Sequence, residues 1–102
     1  MELVLTGATI TGEQAHAHGL VSRVAEPGKA VEVALELADE IAANAPMSVA
    51  ASKQLLRDVQ GRTEEEFIQL QKPVVARVFK SNDAKEGARA FAEKRVPRWT
   101  GT

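Results

Sequence analysis

Cysteine is absent from this 102-residue chain, and large aromatic side chains are scarce: Trp99, three Phe and no Tyr. Without thiols there is neither a disulfide framework nor a thiolate metal site, and a reducing cytoplasm is permitted. A chain this short removes roughly two-thirds of its unfolded surface from water, so with few bulky residues its core is modest and it is expected to lean on a partner. No apolar run approaches the ~20 residues needed to cross a bilayer. The N-terminal MELVLTG has no basic segment followed by an apolar stretch and a small-residue cleavage site. The expectation is a soluble, cytoplasmic protein that makes no membrane contact. A net charge of −1 argues against general polyanion binding, nucleic acid included.

Catalytic signatures are missing too. There is no glycine-rich phosphate loop, no G-x-S-x-G elbow and no convergent pair of carboxylates on one helix face. Acid/base and nucleophilic catalysis need groups of matched pKa held against each other, and Ser22, Ser48 and Ser52 have no histidine within local reach. His16 and His18 are two apart and point to different faces of a helix, unlike the i, i+4 pair that binds one metal. They read as surface or packing histidines, and no catalytic or metal-binding residue is assigned.

What the chain does contain is helix signals joined by short loops. MELVL followed by Thr6-Gly7 reads as the last turn of a helix closed by a C′ glycine. Thr11-Gly-Glu-Gln14 has the form of a capping box and predicts a short helix from Gly12 to His18, stopped by Gly19. Leu20 to Val24 is an extended connector or a weak edge strand. From Gly28 to Asn44, Ala34, Leu37, Ala38 and Ile41 line one helical face and Glu32, Glu36, Asp39 and Glu40 another. Pro46 suits the first turn of a further helix, which runs to about Gln60 and buries Val49, Leu56 and Val59 with Leu55 beside them. Thr63 to Glu66 is a second capping box, and Glu64, Glu65 and Glu66 favour the positive end of the helix dipole. Phe67, Leu70, Val74 and Val78 form the stripe that follows, widened by Ile68, Val75 and Phe79. Pro73 removes a backbone donor there and predicts a kink or break near Gln71-Lys72. The fold class is all-α, four or five helices, with at most one short extended segment near residues 20–24.

The last stretch, residues 81–102, is the most distinctive. Ser81, Asn82 and Asp83 offer a choice of N-caps, with Asp83 to Glu86 a third possible box, and Val96-Pro97 ends the helix. Ala84, Gly87, Ala88 and Phe91 share a face, with Lys94 on the same side. Gly87 costs about 1 kcal/mol against Ala, which implies that something large, such as a neighbouring helix, approaches the backbone. Residues 26–44 hold five acids and one lysine, whereas residues 85–102 hold five bases and two acids. That asymmetry points to a local anion site at the C-terminal end.

Taken together, MELVLTGATITGEQAHAHGLVSRV, ANAPMSVAASKQLL and SNDAKEGARAFAEKR resemble the C-terminal third of the enoyl-CoA hydratase/isomerase family, the crotonase superfamily. The pieces are weak individually, but their order and spacing make the resemblance specific across the chain. It implies that a β-β-α core precedes this segment, carrying the oxyanion-hole amides and the catalytic carboxylates. Residues 1–25 are then a remnant joining that core and residues 28–102 a helical arm, with Met1 falling on an internal position of the family. Such arms assemble subunits into trimers or hexamers, and the resemblance places the coenzyme A moiety of an acyl-CoA substrate near Phe91 and Lys94, which match the family's AF-x-E-K motif. Read without the resemblance, Phe91 is a core anchor and Lys94 a partner of the helix dipole. Pro73 and the RVPRWTG ending have no role assigned by it. The competing expectation is a stand-alone helical oligomerisation or binding module without acyl-CoA chemistry.

Overall fold

A computed structural model describes residues 1–102 as six helices and no strand: α1 Glu2–Thr6, α2 Gly12–Ala17, α3 Ala30–Ala42, α4 Pro46–Asp58, α5 Glu64–Phe79 and α6 Asn82–Ala92. The count exceeds the four or five expected because both short N-terminal segments close complete turns. None of the helices is long and apolar enough to cross a membrane. The chain divides into two units, residues 1–38 and residues 39–102.

In the first unit local signals explain what forms. Gly7, at φ 65°, closes α1, its N–H donating to the Leu3 carbonyl. Thr11 accepts from the Gln14 N–H at 3.2 Å, and the Gln14 side chain accepts from the Thr11 N–H at 2.8 Å, so the capping box of α2 is complete. Beyond α2, His16 Nδ1 lies 3.2 Å from the Val21 carbonyl, a packing role within the turn. Leu20 to Val24 forms no strand.

The second unit is built on α5, which packs against both α4 and α6. Its capping box is complete, Thr63 accepting from the Glu66 N–H and the Glu66 carboxylate from the Thr63 N–H. The helix then runs unbroken through Pro73, so the predicted break does not occur. Pro73 is exposed, while Phe67 and Leu70 before it and Val74 and Val78 after it are half-buried. Packing on both sides offsets the roughly 3 kcal/mol that an interior proline costs.

On α4 the buried stripe is rotated from the expected one. Ala51 is buried and Val49, Leu55 and Val59 are half-buried, whereas Leu56 is 71% exposed. Successive helical residues diverge by about 100°, so Leu55 and Leu56 cannot both face the same neighbour. On α6 the buried residues are Asp83 and Ala90, at 2% and 1% exposure, one heptad apart. Phe91 and Ala88 lie on the outside, and the large neighbour of Gly87 is an indole rather than a helix. A Cβ on Gly87 would lie 3.3 Å from Cη2 of Trp99, and the Trp99 Nε1–H donates to the Ala43 carbonyl at 2.7 Å.

Gly87→Leu is therefore expected to displace Trp99. Urea unfolding should show a loss of about 2 kcal/mol, the scale of an overpacked contact, and emission from the single tryptophan should shift to the red.

Candidate functional site

The C-terminal tail, residues 95–102, reverses along α6 and is tied to it by two carboxylates. Ser81 wins the N-cap, its Oγ accepting from the Ala84 N–H at 3.0 Å. Asp83 therefore stands inside the first turn, and the third capping box does not form, because its carboxylate is taken by the tail. Asp83 Oδ1 accepts from the Thr100 N–H at 2.7 Å and from Thr100 Oγ1 at 3.0 Å, and Oδ2 accepts from the Gly101 N–H at 2.9 Å. The tail answers in kind: the Thr102 carbonyl accepts from the Asn82 N–H at 2.7 Å and from the Asp83 N–H at 3.3 Å. Two donors that α6 cannot satisfy internally are thus covered.

Glu86, one turn further on, holds the other end. Its Oε1 accepts from Arg95 Nη1 at 2.6 Å and from the Arg98 N–H at 2.8 Å, while Oε2 accepts from Arg95 Nη2 at 3.1 Å. The fork matches the planar guanidinium. Hydrogen bonds from Arg95, then from the Arg98 N–H, lower the Glu86 pKa from 4.5 to about 2. The Thr100 N–H, above all, holds Asp83 below the usual carboxylate range, and Arg95 is correspondingly pushed up by Glu86 and Glu93.

Lys94 lies between α6 and this clamp. The Arg95 N–H donates to the Ala90 carbonyl at 3.0 Å and the Lys94 N–H to the Phe91 carbonyl at 3.2 Å, a Schellman motif with Lys94 at C′. Glycine is the usual occupant. Lys94, at φ 52°, is the chain's one non-glycine residue of positive φ, which costs an L residue about 1–2 kcal/mol. Lys94 is exposed and makes no ion pair, though its charge also suits the carbonyl end of α6. Phe91 is 87% exposed, so it does not anchor the core of this chain.

Two grooves flank α6. One, of about 570 Å³, is lined by Lys85, Arg89, Arg95 and Arg98 together with Asp83 and Glu86; Arg95 is paired with Glu86 and Glu93, so Lys85, Arg89 and Arg98 are the cations left to attract an anion. The other, of about 600 Å³, is apolar and includes Phe79, Ala84, Ala88 and Trp99. Phe91 and Lys94 line neither. The sequence nominated those two residues but not the Asp83–Glu86 clamp, because Asp83 carries a local cap signal and the Glu86–Arg95 spacing of nine is no helical repeat.

Residues 1–102, the whole chain, match the family model for enoyl-CoA hydratase/isomerase. The chain belongs to the enoyl-CoA hydratase/isomerase family. It is 44% identical to an enoyl-CoA hydratase of Mycobacterium tuberculosis, over 96% of this chain and 37% of that one. With a carnitinyl-CoA dehydratase of Proteus mirabilis it shares 39% identity, over 98% and 40% respectively. Among solved structures, an enoyl-CoA hydratase from Mycobacterium tuberculosis superposes with a TM-score of 0.96 at 49% identity, covering 100% of this chain and 40% of that one. One from Mycobacterium marinum gives 0.95 at 50% identity, with the same coverage. The chain thus spans about two-fifths of the length of these family members.

Two outcomes test the geometry. Replacing Lys94 by Gly relieves the left-handed strain and should raise stability by about 1 kcal/mol in urea unfolding. Because the folded pKa of Glu86 is depressed, its contribution is present above pH 4.5 and is lost as pH falls from there towards about 2. The urea midpoint should fall over that window in the native chain and less steeply in Glu86→Gln.

Proposed function

We propose that this chain is the C-terminal helical arm of an acyl-CoA enzyme, a hydratase or an isomerase, and that it contributes assembly surface and one edge of the coenzyme A site. In this reading residues 1–25 join the arm to a core carrying the oxyanion hole and the catalytic carboxylates, and the arm itself holds no catalytic group. Oxyanion stabilisation of a thioester enolate by preorganised donors is the step that core supplies. The cysteine-free composition suits a reducing cytoplasm.

The observation that carries the coenzyme A reading is the exposure of Phe91 beside an unpaired Lys94. An aromatic face offered to adenine and a point charge offered to phosphate are the two contacts that an adenosine diphosphate moiety takes up. Neither side chain is engaged within the chain, and the basic groove nearby adds attraction for an anion.

Assembly with further copies of itself, as a trimer or hexamer, is the part of this reading that the area left uncovered supports. A folded monomer of 11.0 kDa exposes about 5,600 Å², while this chain exposes 8420 Å². The excess is on the scale of an obligate interface, and Phe79, Leu56 and Val96 are among the large apolar side chains left in the open. The same excess favours the second reading, a helical oligomerisation module without acyl-CoA chemistry.

Calorimetry with coenzyme A on the assembled full-length protein separates the two. Phe91→Ala and Lys94→Ala are each expected to weaken binding by about tenfold, the ~1–2 kcal/mol of a base stack or a charged hydrogen bond, with unfolding midpoints unchanged. Unaltered affinity in both variants would remove the coenzyme A role and leave the oligomerisation reading. Crotonyl-CoA hydration is expected from the full-length protein and not from residues 1–102 alone.

A further inference from the structure

We infer that Glu86 is a positioning residue for Lys94, acting through Arg95, so that the lysine is presented to an anionic ligand on a fixed backbone. The inference rests on the reading of Lys94 as a phosphate contact. Its geometric basis is the closed circuit in which Lys94 lies. On the helix side, the backbone of residues 94 and 95 is held by the carbonyls of Phe91 and Ala90. Immediately after Lys94, the guanidinium of Arg95 is gripped by both oxygens of Glu86, at 2.6 and 3.1 Å, and by Glu93. The same Glu86 carboxylate accepts from the Arg98 N–H, so the chain is tied again three residues further along.

A left-handed conformer at a residue other than glycine persists only where its surroundings over-determine it. The Schellman bonds fix one side of Lys94 and the Glu86 clamp the other. Without that clamp the residues after the helix would fray, as helix ends do, and the ammonium group would sample many positions. With it, the backbone is ordered before any ligand arrives, and the ordering cost is removed from the binding step. The side chain of Lys94 takes no part in these bonds, which leaves its charge available. Hydrogen bonds from Arg95 and the Arg98 N–H keep Glu86 ionised well below the usual carboxylate range, so the clamp is intact at neutral pH.

A double-mutant cycle in the full-length protein, read as coenzyme A affinity by calorimetry, tests this. Glu86→Gln is expected to weaken binding roughly fivefold when Lys94 is present, and to have no effect in the Lys94→Ala background. Equal losses in both backgrounds would mean that Glu86 merely supports the fold, and would overturn the inference. No loss from Glu86→Gln, while Lys94→Ala weakens binding, would overturn it and leave the coenzyme A contact standing. If Lys94→Ala itself leaves affinity unchanged, the contact fails and the positioning role falls with it. Arg95→Lys, which keeps the charge and loses the fork, occupies the same corner of the cycle if Glu86→Gln does not fold.

Discussion

Asp83 and Glu86 stand one turn apart on α6, and through them the tail becomes part of the fold. Each carboxylate accepts three hydrogen bonds, all of them from groups beyond residue 94. An ionised carboxylate satisfied in this way tolerates near-complete burial, which a lone charge does not. The arrangement sets the path of residues 95–102, which places Trp99 over Gly87 and its indole N–H on the Ala43 carbonyl. A glycine that weakens the helix by propensity thereby makes room for the chain's largest side chain.

The same constraint organises the outer surface. Because Asp83 and Ala90 define the inner side of α6, Phe91 turns outward and Lys94 follows it in a left-handed turn. A chain seeking stability alone would have glycine at this C′ position and a small or polar residue in place of an exposed phenylalanine. Departures of this kind, where a local rule is broken without gain to the fold, concentrate at functional positions. The chain belongs to the enoyl-CoA hydratase/isomerase family, and in the function proposed above these two departures are what an adenosine diphosphate group would meet.

Little of this surface is held together by apolar burial. Ala51 and Ala90 are the only buried hydrophobic residues, and the contacts that persist are caps, carboxylate bonds and a half-buried stripe on α5. Such a chain spends its large side chains on outward faces, consistent with packing against something other than itself. Pro73 lies on an exposed side of α5, and the helix passes through it.

The sequence by itself determined where the helices lie. Capping boxes at Thr11 and Thr63, the C′ glycine at position 7 and Pro46 at a first turn act over four residues or fewer, so they are legible without a fold. Apolar periodicity also marked the stripe on α5, but it chose the wrong face on α4, burying Leu56 in place of its neighbour Leu55, and on α6, where Ala90 rather than Phe91 turns inward, because adjacent positions fit a helical period about equally well. Phe91 and Lys94 were reached through family motifs, and their exposure and backbone conformation emerged only with the structure. Only the tertiary structure decided that Asp83 is a clamp rather than a cap, that Glu86 serves Arg95 rather than a capping box, and that Trp99 is the neighbour of Gly87. These contacts join residues from 9 to 56 positions apart, and they exist because the chain reverses after Lys94. That reversal brings donors and carboxylates together across a distance that no helical or strand period encodes.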